Sequence, residues 1–379
     1  MTTLTLPSRR EEAWRWSNLD ALGALAEAPH GAAPAPDAHF IGLGGPRLVF
    51  VDGVLDESRS TLGRVAVAPL TLTTDHPLGK QAIGPGWSLT LDAEQATDPI
   101  EIVYIATGGA NHLPARIALG EDSAASIVET YVGEGWSNRF TRIALARSAR
   151  LMRSVRMLQG SGFISLRDEA DLGEGASLVS IFLGAGGMDC RIDGALTLTG
   201  EAAFAEMGGA LLTQGEQRQE CAVSLRHVGL DGQSRQLWRA VAKDRSTASL
   251  AARVEVARGA QKTDGEQSLR GLLLDRTATV NLKPELEIFA DDVKCAHGAT
   301  VGELDKTALF YLTSRGIAPP RAKALLTRAF VADALDRIGT ETVRDVFAAD
   351  ADRWLETSLS HREREGAREP KASGKGEGD

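Results

Sequence analysis

From about residue 100 to residue 290 no helical period can be traced, and short apolar runs recur in its place. They fall at 100–105, 115–119, 126–131, 141–145, 152–158, 163–167, 177–182, 190–198, 202–205, 221–226, 249–256, 277–280 and 286–289, with Gly, Asp or Asn between many of them. Runs this short, bounded by turn residues, read as strands. So many in succession predict an all-β body, as a sandwich, a barrel or a solenoid. Two features tilt the reading toward a solenoid. Asn-Gly and Asp-Gly pairs, which an antiparallel meander would use freely, are few. The runs are also rich in Ala, Ser, Thr and Gly on a coarse 20–25-residue recurrence, as in coils that stack on similar neighbours. With 40 glycines and only 5% aromatic residues, the composition suits tight turns and thin strands. The repeat is degenerate, so periodicity alone favours a β-helix without excluding a sandwich.

Helical signals stand on either side. Ser8 is a candidate N-cap with Glu11 in the capping-box position, predicting a short helix and then another towards Leu22. Trp14 and Trp16 cannot share its face. An Ala/Pro-rich linker covers 29–37, and 47–54 reads as a strand with a turn at Asp52-Gly53. Beyond Gly302, Asp305 can cap a helix over 306–314 that Gly316 stops. Pro319-Pro320 opens a second helix with Leu326, Phe330, Ala334 and Ile338 on one face. Thr340 opens a third, running towards Trp354 and Leu355. After Ser358 the chain turns to charge, Gly and Lys, which predicts a disordered tail. The expected organisation is therefore 1–65, an N-terminal helical region with linker and strand pair; 66–302, the β-helix core; 303–357, a C-terminal helical domain; and 358–379, a tail.

A net charge of −9 gives no electrostatic reason to bind nucleic acid or an anionic membrane. The longest nearly uncharged apolar run, 176–188, is too short to span a bilayer. Three scattered cysteines without CxxC spacing argue against a disulfide framework, so a reducing, cytoplasmic setting is expected. The chain carries no GxxxxGK[ST] phosphate loop and no GxSxG, HExxH or GxGxxG motif. His30, His39 and His361 fall in linker or tail and read as solvated, His76 as a turn residue, and His112 and His227 as candidates for buried, hydrogen-bonded rings.

Cys295 and His297 differ in kind. Two apart on a strand, they leave by the same face, at the seam where strand gives way to helix. Thiolate and imidazole suit iron, zinc or copper, yet two donors make half of a four-coordinate site. Three readings stand: a small buried thiol beside a hydrogen-bonded turn histidine; a Cys-His nucleophilic pair, disfavoured because an i, i+2 pair diverges; and a half-site completed by another subunit.

The run from Phe289 through Cys295-Ala-His297-Gly298 to Leu309-Phe-Tyr-Leu-Thr-Ser-Arg315-Gly-Ile317 resembles the C-terminal signature of the SufB/SufD family of Fe–S cluster assembly proteins, on its SufD side. Gln261-Lys-Thr-Asp-Gly-Glu-Gln267 with Leu272-Leu-Leu-Asp275, and Arg10-Glu-Glu-Ala-Trp14-Arg-Trp16, are similar to further family segments. The resemblance is close at the ends and in the last third, and one of texture in the middle. It departs at Ala296, where the family has serine, and around 238–271.

The resemblance implies a right-handed parallel β-helix flanked by N- and C-terminal helices. It also implies a non-catalytic scaffold that pairs with the paralogue SufB and docks the ATPase SufC on its C-terminal helices, with Leu309, Phe310, Tyr311 and Arg315 as candidate contacts. No tightly bound cofactor is expected. Iron or a nascent cluster would be held transiently between the two paralogues, with Cys295 and His297 as this chain's candidate ligands. Two other classes are weighed: a β-helix enzyme acting on carbohydrate, which would need a row of carboxylates on one face, and a homodimeric interaction protein with no metal role.

Overall fold

Asp52 and Gly53 both take positive φ, 50° and 80°, and fold β1 (Arg47–Val51) back onto β2 (Val54–Leu55) in an antiparallel hairpin. Two positive φ values in succession give a turn whose twist matches that of the flanking strands. β3 (Val65–Leu70) and β4 (Gly84–Leu91) form a second antiparallel pair. β1 and β4 then both pair in parallel with β5 (Ile100–Leu119), and every later pairing is parallel.

The body is a parallel β-solenoid of about 8 turns, seen in a computed structural model that describes residues 6–366. β5 and β6 (Ala124–Leu145) each cross from one sheet to the other by bending midway. At the bend of β6, Gly133 has φ 90°, and a Cβ there would lie 1.9 Å from the carbonyl oxygen of Ala106 in the coil below, so the corner admits only glycine.

Later coils split each turn into two strands: β7 (Arg150–Met157), β8 (Phe163–Leu172), β9 (Ser177–Gly184), β10 (Asp189–Leu198), β11 (Phe204–Thr213), β12 (Arg218–His227), β13 (Gln233–Ala242), β14 (Thr247–Val256), β15 (Asp264–Leu273), β16 (Thr279–Ile288) and β17 (Lys294–Glu303). Odd-numbered strands from β7 onward stack in one sheet and even-numbered strands in the other. Register partners in adjacent coils lie 27 residues apart at Asn138–Ser165 and 29 apart at Arg191–Glu220, longer than the expected 20–25.

One corner repeats a device. Glu94, Asp122, Ser148, Gly175, Ala202, Asp231 and Lys262 all have φ from 53° to 60°. Each donates its N–H to a carbonyl in the corresponding turn of the next coil, of Glu121, Arg147, Glu174, Glu201, Leu230, Gln261 and Asp292 respectively. Turns that stack this way satisfy one another's backbone groups without water.

The outer faces of the two sheets are covered differently. α3 (Pro319–Leu335) and α4 (Glu341–Gly366) set Val331, Leu335, Phe347 and Trp354 against Ile181, Leu183, Leu212 and Val241 of the odd sheet. Ion pairs fix them: a buried one from Arg156 to Asp350 at 2.6 Å, and one from the half-exposed Arg337 to buried Glu206 at 2.6 Å. On the even sheet lies the N-terminal segment. The Arg191 guanidinium sits 3.7 Å from the Trp14 ring centre, donates to Ser17 at 2.6 Å and pairs with Asp193 and Glu220.

Several expectations need correction. The Glu11 carboxylate does accept from the Ser8 N–H at 2.9 Å, but it introduces only one 3-10 turn (Glu12–Trp14), with the five-residue α1 (Leu22–Ala26) after it. α4 continues to Gly366, past the Ser358 boundary set for the tail, and residues 367–379 lie outside the described residues. β13 and β15 are full strands of the solenoid that no apolar run announced. Among the described residues no helix is long and apolar enough to cross a membrane.

Candidate functional site: the open last coil

β16 and β17 end the two sheets. Each is paired on one side only, with β14 and β15 respectively. No residue of β17 is fully buried, and Phe289 and Val301 are 59% and 44% exposed. Nothing in the described chain covers this end as β1–β4 cover the other, so two strand edges offer unpaired backbone groups side by side.

Cys295 and His297 stand on β17. Their register partners on β15 are Gly265 and Gln267, in the inward-facing row that continues with buried Leu269. Both side chains therefore belong to the interior row of the solenoid, on one face as their spacing requires, where that interior opens to solvent. The Cys295 sulfur rests over Gly265, 3.4 Å from where a Cβ would stand. Burial pushes the Cys295 thiol above its ordinary value. A hydrogen bond from the Gly265 backbone works against this and the Asp264 charge adds to it, so at neutral pH the group is a thiol. His297 is exposed. No hydrogen bond joins Cys295 to His297, so the nucleophilic pair is not assembled. Among the described residues no group of three His, Cys, Asp or Glu side chains is placed to hold a metal, and the two donors stand without a third on this chain.

The interior behind them is polar in a way the sequence did not announce. The carboxamide nitrogen of Gln236 on β13 donates across the solenoid to the Arg253 carbonyl at 3.0 Å. Gln267 does the same to the Glu285 carbonyl at 3.2 Å. Both carboxamide oxygens are buried and have no donor. Of the two histidines expected to be buried and hydrogen-bonded, His227 is buried and His112 partly buried, and both are hydrogen-bonded. His227 meets Ser234 Oγ at 2.8 Å and His112 meets the Asn138 carboxamide at 2.9 Å; burial, aided at His112 by Arg139, lowers both rings to about 4. His76 leads into a turn, with its side chain largely shielded and 3.1 Å from Asp193. His30 lies against Asp52, and His39 is partly buried, which lowers it.

The C-terminal candidates sit on α2 (Lys306–Ser314). Asp305 caps it, its carboxylate accepting from the N–H groups of Thr307 and Ala308 at 2.7 and 3.0 Å. No residue of α2 is buried. Phe310 is 72% and Tyr311 57% exposed, with the Arg315 guanidinium 5.3 Å from the Tyr311 ring. Leu309 turns the other way, onto a cavity of about 460 Å³ floored by Leu273, Leu274, Leu304 and Leu355. α2 thus rests on α3 by one half-buried face and leaves two aromatic rings exposed on the other.

The chain belongs to the family described as SUF system FeS cluster assembly, SufBD core domain, whose model matches residues 104–330. Its relatives on the SufD side include the iron–sulfur cluster assembly protein SufD of Escherichia coli, 28% identical over 90% of this chain and 86% of that protein. SufD of Bacillus subtilis is 30% identical over 39% of this chain and 34% of its own length. An iron–sulfur cluster assembly SufBD family protein of Synechocystis is 26% identical, covering 89% of this chain and 84% of that protein. The family resemblance drawn from the terminal motifs is thereby established, and with it a role in Fe–S cluster assembly.

Proposed function

We propose that this chain is a cytoplasmic, non-catalytic scaffold that builds Fe–S clusters together with a SufB-type paralogue and a SufC-type ATPase. The observation that carries the reading is the open last coil, where a Cys and a His two residues apart lie on an unpaired strand edge. A second solenoid of the same two-sheet build, set end to end, would continue both sheets and bring further donors opposite Cys295 and His297. Iron or the nascent cluster is then cargo shared across the junction, with the thiol losing its proton as it binds. In the absence of the paralogue the same edges would support a homodimer. The ATPase would dock on α2, through Phe310 and Tyr311 with Leu309 and Arg315 beside them, and ATP hydrolysis would belong to it alone.

The test is anaerobic copurification with the two partners, followed by iron and sulfide quantification. His297→Ala and Cys295→Ser should leave the complex assembled and lower its iron content severalfold. Normal iron content and normal maturation of Fe–S enzymes in cells carrying both variants would remove the ligand role and leave a structural one.

A further inference from the structure

The interior row that ends at His297 holds a polar side chain in three successive coils. Gln236 on β13 is the register partner of Gln267 on β15, and Gln267 is the register partner of His297 on β17. Gln236 and Gln267 are each 1% exposed, and each spends its carboxamide nitrogen on a carbonyl of the opposite sheet. That shared tether fixes the plane of the amide and leaves its oxygen within the row. The Gln267 oxygen is buried and accepts nothing from the described chain. A buried acceptor without a donor is rare enough in a folded protein to need an explanation.

Its neighbour on the open side is an imidazole. Adjacent strands lie about 4.7–4.9 Å apart, so side chains of register partners on one face stand within reach of each other. A histidine that binds metal through one ring nitrogen commonly donates its other N–H to a fixed acceptor, which sets the tautomer and the ring direction.

We infer that Gln267 is the positioning residue for His297: its carboxamide oxygen accepts the ring N–H on the interior side and leaves the other ring nitrogen bare towards the open end. The inference deepens the ligand role proposed above for His297. Gln267 does not touch the cargo. It converts an exposed, freely rotating ring into one with a defined donor direction. Gln236, tethered identically one coil further in, has Gln267 and not a histidine as its outward neighbour, and so serves as an internal control.

The deciding measurement is the tautomer of His297 in the full chain, read from ring nitrogen shifts in protein labelled with ¹⁵N-histidine and assigned with His297→Gln. One dominant tautomer is expected in the parent chain and in Gln267→Glu, which keeps an acceptor. Gln267→Leu should return the ring to the mixed population of free imidazole, whereas Gln236→Leu should leave it unchanged. A mixed population in the parent chain, or a ratio that Gln267→Leu does not alter in protein that remains folded, overturns the inference.

Ferrous iron titrated into the partnered complex gives the second readout. Loss of the acceptor should weaken binding by about 10–100-fold. A fixed tautomer combined with iron binding indifferent to His297→Ala would sink the ligand reading while leaving the Gln267 contact in place. A free tautomer with iron binding dependent on His297 would do the reverse.

Discussion

The coils around β6–β8 and the last coil around β15–β17 both point polar side chains into the solenoid interior, with opposite outcomes. In the middle, Arg153 donates to Glu129 at 2.6 Å and to Asp168 at 2.6 Å; the hydroxyls of Tyr104 and Tyr131 complete the Glu129 shell at 3.1 and 3.0 Å. All three charged residues are at most 4% exposed, and neighbours on both sides satisfy them. At the end of the stack, Cys295 and His297 hold equivalent inward positions with a neighbour on one side only. In the middle of this solenoid, interior charge is completed by the neighbouring coils. Polar residues left in the final coil are thus presented at an open edge, the feature on which the proposed pairing with a second solenoid rests.

The largest effect should come from breaking the completed case. Arg153→Leu strands two buried carboxylates, and removal of one member of such a network costs about 3–5 kcal/mol. Urea unfolding should show a matching fall in midpoint. A loss below about 1 kcal/mol would mean that the interior charges do not define the middle coils.

Next comes acid sensitivity. His227 and His112 titrate at about 4 in the fold against 6.5 outside it, because burial favours the neutral ring. A base with a depressed folded pKa has its full stability above pH 6.5. It loses that stability as pH falls towards 4, when the unfolded chain takes up the proton first. With about 1.4 kcal/mol per pKa unit, each ring accounts for roughly 3 kcal/mol across that window. His227→Gln should flatten the stability profile between pH 6.5 and 4; an unchanged slope would show that this ring charges freely in the fold.

The smallest effect on the fold belongs to the open end. Phe289→Glu with Val301→Glu should shift the unfolding free energy by less than about 0.5 kcal/mol, as substitutions at exposed sites do. The same pair should abolish end-to-end association in size-exclusion runs. Phe310→Ala with Tyr311→Ala should likewise spare stability while weakening ATPase capture. A loss of fold in either double variant would move that surface from the partner-facing to the structural side of the comparison.

The fold was legible in the sequence wherever the inward residues are apolar. β10 and β14 carry largely aliphatic inward rows and stand out as runs, and β9 does so because Val179, Ile181 and Leu183 on its outer face are apolar too. β13 and β15 set Ser234, Gln236, Gly265 and Gln267 inward, so the alternation that marks a strand is erased. The helices after Gly302 were legible because Asp305, Gly316 and the Pro319-Pro320 pair act locally, and Gly316 does take φ 85°. The shared face of Cys295 and His297 came from strand period alone. That this face is the solenoid interior at an uncovered end depends on which coil is last, a property of the whole stack. The Glu129–Arg153–Asp168 network was invisible for a related reason, since its members meet only through coil-to-coil register.

The corner occupied by Glu94, Asp122, Ser148, Gly175, Ala202, Asp231 and Lys262 has a further consequence for how such a chain can change over generations. Seven left-handed turns are built from six residue types, only one of them glycine, because each turn's shape is imposed by the carbonyl of the neighbouring coil. A conformation dictated from outside frees the residue that adopts it to drift. It frees the count of residues as well: between strands this edge runs from four residues (173–176) to seven (257–263), with the inter-coil bond kept in both cases. The opposite corner holds at four residues after β9, β11 and β13 and five after β15, so growth collects on this edge, a rail along which coils diverge in composition and in length without slipping.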